Sequence, residues 1–411
     1  MAAASTVPTL TLQGTPYDRG HTHGSLATSR IKKNIETYTS FFAETASLSW
    51  PEARSRSKVF LPVLEKIYPE ILDEIRGIAD GAGLELDDIL ALNVRSEIAL
   101  TNYENTPPPG SHGQPETEKE KEKVPEITDG CTSLAQSSAD KSRVILAQNW
   151  DWLEPLSGGM VVLDVTLPKK ENGVEKRFFT LTEAGLVGKI GVNSSGLGLC
   201  LNALRCGAFS AERLPTHIMT RYILERTSSF SEAVKALEKY GGACSANMVL
   251  ADTEGEFATV EVTPLGISVL RPDKTDDAGS FDGKTGNGPS FIAHTNHVVT
   301  PPTHFPRGAI YDRPAANSFS RLARVTELTR NDEVKQVDVS VESVYKRLKD
   351  QKDTPFSICR GVPVDAKGME RMTTLASVVL EMDLVGKRAG GWVTVGRPCE
   401  EGLQKIEWSF K

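Results

Sequence analysis

Asp129-Gly130-Cys131-Thr132-Ser133 follows a polar, low-complexity stretch and opens a long series of strand-like segments. A cysteine in that position is a candidate for a new N-terminus. An N-terminal cysteine carries nucleophile and base on one residue, because the thiol attacks a carbonyl while its own α-amine accepts the proton. The chain would then be a precursor cut between Gly130 and Cys131. Glycine before the cut suits that chemistry, since the missing Cβ allows close approach of the thiol to the preceding carbonyl. The local sequence also fits a small buried cysteine at a strand start, which is how most cysteines are used.

The rest of the composition narrows the partners. At 411 residues the length allows one large domain or two ordinary ones. A net charge of -7 with acids and bases interleaved argues against a nucleic-acid surface, so small molecules are the expected partners. Met1 to Pro8 has neither a basic nor an apolar region, and no apolar run is long enough to span a bilayer. A cytoplasmic protein without membrane partners is the expectation. Six cysteines, at 131, 200, 206, 244, 359 and 399, form no CxxC pair and are too sparse for a disulfide framework.

Residues 1–104 read as mostly helical. A strand at Thr9 to Gln13 gives way, through a turn spanning Gly14 to Gly24, to a helix running to about Ala46. A second begins near Pro51 and ends at Gly81 to Gly83, and a third contains Ile89, Leu92 and Val94, with Asp87-Asp88 as its cap. Residues 105–128, rich in proline and then in alternating glutamate and lysine, read as an exposed insertion with almost nothing to bury. After Cys131 come short alternating runs at 144–149, 160–167, 177–182, 189–192 and 197–201. Two helices are expected next, one after Pro215 and one from Phe230 to Tyr240 capped by Ser229, followed by strands near 248–251, 258–262 and 267–270. Residues 272–290 read as a polar loop, with helices near 317–331 and 339–350 and final strands near 373–381, 391–396 and 405–410. Strands in two groups with helices before and between imply an α+β layered fold with antiparallel sheets.

Four stretches place polar residues where apolar or variable ones belong: Asp129 to Ser133, Gln148-Asn149-Trp150-Asp151, His294-Thr295-Asn296-His297 and Phe356-Ser357-Ile358-Cys359-Arg360. Together with Gly14-Thr15-Pro16, His23-Gly24-Ser25, the run Thr182 to Gly196 and Asn202-Ala203-Leu204, they resemble the acyl-coenzyme A:6-aminopenicillanic acid acyltransferase (isopenicillin N acyltransferase) family of cysteine-type N-terminal nucleophile hydrolases. The resemblance runs in order across most of the chain. It implies a four-layer αββα sandwich, two antiparallel sheets between helix layers.

By that resemblance Cys131 is the nucleophile for self-cleavage after Gly130 and for the acyl-enzyme formed afterwards. The mature protein would pair residues 1–130 with a catalytic subunit 131–411 in one composite domain. The α-amine, with a reference pKa of about 7.7 to 8.0, serves as base. Asn296 is similar in position to the oxyanion donor, and Asp151 to the carboxylate that supports cleavage. Arg360 is expected to clamp a substrate carboxylate, and Thr132 and Ser133 to hold the new N-terminus, with Ser133 also counted as substrate-binding. No metal and no bound cofactor are expected; a coenzyme A thioester is a possible co-substrate. A zinc site built on His294, His297, His21 and His23 is disfavoured, because histidines three apart on a strand face opposite ways. The expected activity is acyl transfer to an amine of a small peptide-like metabolite, with amide hydrolysis as the alternative.

Overall fold

The computed structural model describes residues 7–100, 130–168, 173, 175–272, 290–301, 304–305, 312 and 317–406. The expected insertion at 105–128 and most of the 272–290 loop lie outside them, as do residues 407–411.

Two sheets form the centre. The first contains β2 (Gly130–Ser137), β3 (Arg143–Leu153), β11 (Phe291–His294), β12 (Met372–Asp383), β13 (Arg388–Val395) and β14 (Gln404–Lys405), in the order β11-β2-β3-β12-β13-β14 and antiparallel throughout. The second runs β1 (Thr9–Leu12), β4 (Met160–Thr166), β5 (Arg177–Glu183), β6 (Ile190–Asn193), β7 (Leu197–Ala203), β8 (Ala246–Asp252), β9 (Phe257–Thr263), β10 (Gly266–Leu270). Its β1–β4 pair is parallel and the rest antiparallel. The strands β2, β3 and β12 face β7 and β8 across the interior. Every residue of β2 is buried, as expected of a strand covered on both faces.

Polar side chains also join the sheets. Gln148 on β3 reaches the backbone of Leu201 on β7 in both directions, its Oε1 accepting from Leu201 N at 2.8 Å and its Nε2 donating to Leu201 O. Such buried amides register one sheet on the other because an unmet hydrogen bond there is costly.

Helices cover both outer faces. On the second sheet lie α7 (Thr216–Arg226) and α8 (Phe230–Tyr240); on the first lie α9 (Ser318–Val334) and α10 (Val341–Leu348). The architecture is therefore αββα. The N-terminal helices α1 (Pro16–Ala46), α2 (Trp50–Ser57), α3 (Leu61–Ile67), α4 (Pro69–Ala82), α5 (Leu86–Asn93) and α6 (Arg95–Leu100) gather around the long α1–α4 pair and share the core of the sheets. Glycines let those two helices touch backbone to backbone: a Cβ on Gly20 would stand 2.0 Å from Glu74 O, and one on Gly77 2.3 Å from Tyr17 O. None of the helices among the described residues is long and apolar enough to cross a membrane.

The single helix expected from Pro51 to Gly83 is three helices and a 3-10 turn. The break at Tyr68 has a local cause, since the residue before a proline is pushed out of the helical region, and Tyr68 precedes Pro69 with φ -146° and ψ 60°. The cap of α5 is Glu85, with Asp88 at the third helical position bonding back to its backbone N–H at 3.1 Å.

Candidate active site

Cys131 is the second residue of β2, directly opposite Trp150 on β3, while Gly130 is opposite Asp151. The Cys131 N–H donates to Asn296 Oδ1 at 2.7 Å. Asn296 follows β11, which pairs with β2, and its Nδ2 donates to Ala203 O at the end of β7 at 3.0 Å. A carboxamide NH2 has a second hydrogen, so that contact leaves one N–H for another acceptor.

Arg321 on α9 completes this corner. It is buried, and its guanidinium donates to Cys131 O at 2.6 Å, to Thr132 Oγ1 at 3.1 Å and to Asn296 Oδ1 at 2.9 Å. One cation thus grips the carbonyl of the cysteine and the amide that holds its nitrogen.

Asp151 and Arg360 pack against Gly130. A Cβ on that glycine would meet Asp151 Oδ2 at 2.7 Å and Arg360 Nη1 at 3.0 Å. Asp151 Oδ1 accepts from Thr374 Oγ1 at 2.6 Å. Burial pushes the Asp151 carboxyl up to about 6 against the pull of Arg321, the Thr374 hydrogen bond and Arg360. A carboxyl poised there exchanges a proton near neutral pH, which an ordinary aspartate does not.

These residues meet at one cleft. Cys131, Asp151 and Asn296 line it, with Phe41, Trp150 and Trp152 among its apolar walls. Arg360 and Ser133 are not cleft-lining residues. Arg360 is fully buried behind Asp151, and Ser133 turns between the sheets, where its hydroxyl donates to Asn202 Oδ1 at 2.6 Å.

His294, His297 and His23 are engaged elsewhere. His294 Nε2 lies 2.9 Å from Glu261 Oε1, and His297 Nδ1 lies 2.8 Å from Ser318 Oγ with its ring 4.0 Å from that of Phe319. Burial, with His294 adding to it, lowers the His297 imidazole to about 4. His23 Nε2 accepts from Gly185 N at 3.0 Å, and burial, then Arg221, lowers that imidazole to about 3. Cys359 is buried with its Sγ 2.9 Å from that of Cys399.

The family described as acyl-coenzyme A:6-aminopenicillanic acid acyl-transferase matches residues 138–387. The chain belongs to this family. It is thus an enzyme of the acyltransferase or amidohydrolase type. Within the acyltransferase family it is 28% identical over 389 residues to the 40 kDa form of the acyl-coenzyme A:6-aminopenicillanic-acid-acyltransferase of Emericella nidulans, covering 95% of this chain and 92% of that one. It is 27% identical over 277 residues to the beta-alanyl-dopamine/carcinine hydrolase of Drosophila melanogaster, covering 63% of this chain and 65% of that one. Among solved structures, the conjugated bile acid hydrolase of Clostridium perfringens aligns with a TM-score of 0.41 and 14% identity, covering 68% of this chain and 98% of that chain.

Sequence reasoning missed three cleft residues and one behind them. Arg95 and Lys189 line the cleft, as does His217 from α7, while Arg321 stands behind Cys131. For Arg321 a signal was present. It shares a buried stripe with Val325 and Thr329 at a spacing of four, and a cation inside an otherwise buried stripe asks for a buried partner.

Proposed function

We propose that this acyltransferase cuts itself between Gly130 and Cys131 and then moves acyl groups through an S-acyl Cys131. The observation that supports this most is the set of contacts that fixes Cys131 on both sides of its Cα and crowds Gly130. Asn296 and Arg321 hold Cys131 by its nitrogen and carbonyl, Asp151 abuts Gly130, and Cys131, Asp151 and Asn296 line a largely apolar cleft.

In self-cleavage the Cys131 thiol attacks the Gly130 carbonyl carbon, and the amide nitrogen takes a proton and leaves as the α-amine. Water then hydrolyses the thioester, which leaves a carboxylate on Gly130 and a free thiol on Cys131. Asp151, poised near 6, relays the proton, and Arg360 holds that carboxylate in place from behind rather than from within the cleft. Residues 1–130 remain as the partner fragment, because α1 and α5 pin the turn after β5: Asn34 Nδ2 donates to Ala184 O at 3.0 Å and Asn93 Nδ2 to Gly185 O at 2.8 Å.

In turnover the α-amine, held by Asn296, takes the thiol proton and Sγ attacks the acyl carbonyl. The second Asn296 N–H faces the developing oxyanion. The coenzyme A thiolate or the amine leaves with that proton, and an acceptor amine then takes the acyl group from Cys131. Water in place of the amine makes the enzyme an amidohydrolase; the hydrolase name of the Drosophila relative favours keeping that reading. The two are separated with an acyl-coenzyme A thioester as donor. An S-acyl adduct on Cys131 whose discharge accelerates with added amine supports transfer, whereas discharge at one rate with and without amine supports hydrolysis. Absence of any adduct, from thioester or activated amide, contradicts both.

A further inference from the structure

Gly130, Asp151 and Thr374 stand in one row across the first sheet. Gly130 on β2 is opposite Asp151 on β3, and Asp151 is opposite Thr374 on β12. Directly opposed residues carry their side chains on the same face, so the Thr374 hydroxyl and the glycine of the scissile bond flank one carboxylate. A β-bulge puts the threonine there. Further along, β12 pairs Ser377 with Asn149 and Ala376 with Trp150, and continuing that register would set Leu375 against Asp151. The bulge leaves Leu375 out of the pairing with β3, and its carbonyl accepts from Gly396 N at 2.7 Å just past β13. A hydroxyl thereby takes the place of a leucine side chain beside a buried acid, in the way that bulges re-aim side chains near functional sites.

The hydrogen bonds fix which way that hydroxyl points. Thr374 Oγ1 accepts from Arg360 N at 2.9 Å, and a backbone N–H can only donate. The single hydroxyl hydrogen therefore goes to Asp151 Oδ1, at 2.6 Å. The other oxygen, Oδ2, is buried, has no hydrogen-bond partner among the described residues and lies 2.7 Å from where a Cβ on Gly130 would stand. One carboxylate oxygen is thus tied to β12 and its twin is turned toward the scissile residue. Arg321 from α9 and Arg360 from the segment before β12 are the charges that act on this carboxyl, and Cys131 is the thiol next to Gly130 on β2. The hydrogen bond from Thr374 is what makes the two oxygens different.

We propose that Thr374 is a positioning residue for self-cleavage: it occupies Oδ1 of Asp151, so that the proton the carboxylate carries sits on Oδ2, facing Gly130. This rests on the self-cleavage reading above. Oδ2 takes the Cys131 thiol proton as Sγ bonds to the Gly130 carbonyl carbon, and it hands the same proton to the Cys131 amide nitrogen as the C–N bond breaks. Asp151 ends the step in the form in which it began. A proton on Oδ1 would instead oppose the Thr374 hydrogen and point away from the peptide.

The test follows cleavage of newly synthesised full-length chains against pH in the wild type, Thr374→Val and Thr374→Ser. Valine keeps the branched shape and loses the hydroxyl, which removes a hydrogen bond that favours the ionised carboxyl. Its midpoint should move up by about one pH unit, which from ionisation alone makes cleavage at about pH 6 roughly fivefold slower. Its plateau rate should also fall by about tenfold, because neither oxygen is held. Serine restores the hydroxyl and should keep the wild-type midpoint and most of the plateau rate. A threonine that only packed would lower the rate without moving the midpoint. A midpoint in Thr374→Val equal to that of the wild type, or one in Thr374→Ser shifted as far as in Thr374→Val, overturns the assignment. If Thr374→Val cuts at no pH, cutting by Thr374→Ser supports the assignment and an uncut Thr374→Ser overturns it. If Thr374→Val does not fold, Thr374→Ala takes its place with the same expectations. A wild-type chain that never cuts removes the self-cleavage reading itself, whereas a wild type that cuts beside an unshifted Thr374→Val removes only the role of Thr374.

Discussion

Asn296 Oδ1 accepts two hydrogen bonds, from the Cys131 N–H at 2.7 Å and from Arg321 Nη2 at 2.9 Å. The amide is thereby fixed with its oxygen on the cysteine nitrogen and its NH2 toward Ala203 and the cleft. A group so held can orient the future α-amine and still present one donor to an oxyanion. Asn296→Ala should process slowly and lose turnover by roughly two to three orders of magnitude. Asn296→Asp, which keeps the acceptor and loses the donor, should process better than the alanine variant yet remain slow in kcat. Equal rates for wild type and Asn296→Ala in single-turnover acylation would place the oxyanion donor elsewhere.

On the self-cleavage proposal, Asp151 gives the cleavage step its pH dependence. The carboxyl stands at about 6, raised by burial, and the base form is the ionised one. Cleavage of newly synthesised chains, followed after a pH jump, should therefore rise as pH increases through about 6 and then level off. About one and a half pH units below the midpoint it should be roughly 30-fold slower. Asp151→Asn should leave the precursor uncut with no such inflection.

Arg321 is expected to matter for stability as well as processing. Its removal strands the Cys131 carbonyl and leaves buried Asp151 with one fewer cation. Arg321→Met should lower unfolding stability by on the order of 3 kcal/mol and accumulate precursor. Urea denaturation in a Cys131→Ala background separates the two effects, because neither protein is cut.

Gly130→Ala tests the crowding at the scissile bond. The added methyl would lie 2.7 Å from Asp151 Oδ2, so the carboxylate must move away from the peptide it serves. Cleavage should slow by at least about tenfold while the melting temperature changes little, measured by the precursor fraction over time.

Gly24→Ala should act far from the site through helix packing. Its Cβ would stand 2.2 Å from Ile78 O, a contact that only a shift of α1 against α4 relieves. A loss of roughly 1–3 kcal/mol or more in thermal or urea unfolding is expected.

Much of the frame was legible where the signal is local. Ser229 caps α8 as its hydroxyl and position demand, and the hydrophobic alternation after Val144 marks β3 to β7 within a few residues. Gly20 and Gly24 read as part of a turn entering the helix, whereas both lie inside α1, because their purpose is contact with a second helix that no local pattern announces. The site divides in the same way. Cys131 stands out in its own short stretch, Asp151 and Asn296 follow from the family resemblance, and the structure brings the three to one cleft. Arg95, Lys189 and Arg321 come from three distant segments, and their convergence depends on which faces pack together. The substrate-binding roles of Arg360 and Ser133 rest on the same resemblance, but depth below the cleft is a tertiary property that their sequence neighbours do not carry.

The self-cleavage at the centre of this account is tested most directly by the intact mass of the purified protein under denaturing conditions, with Cys131→Ala beside it. Two fragments, one ending at Gly130 and one beginning at Cys131, present in the wild type and absent from the variant, are the predicted result. A single uncut 411-residue chain in the wild type, or the same cut in Cys131→Ala, would contradict it.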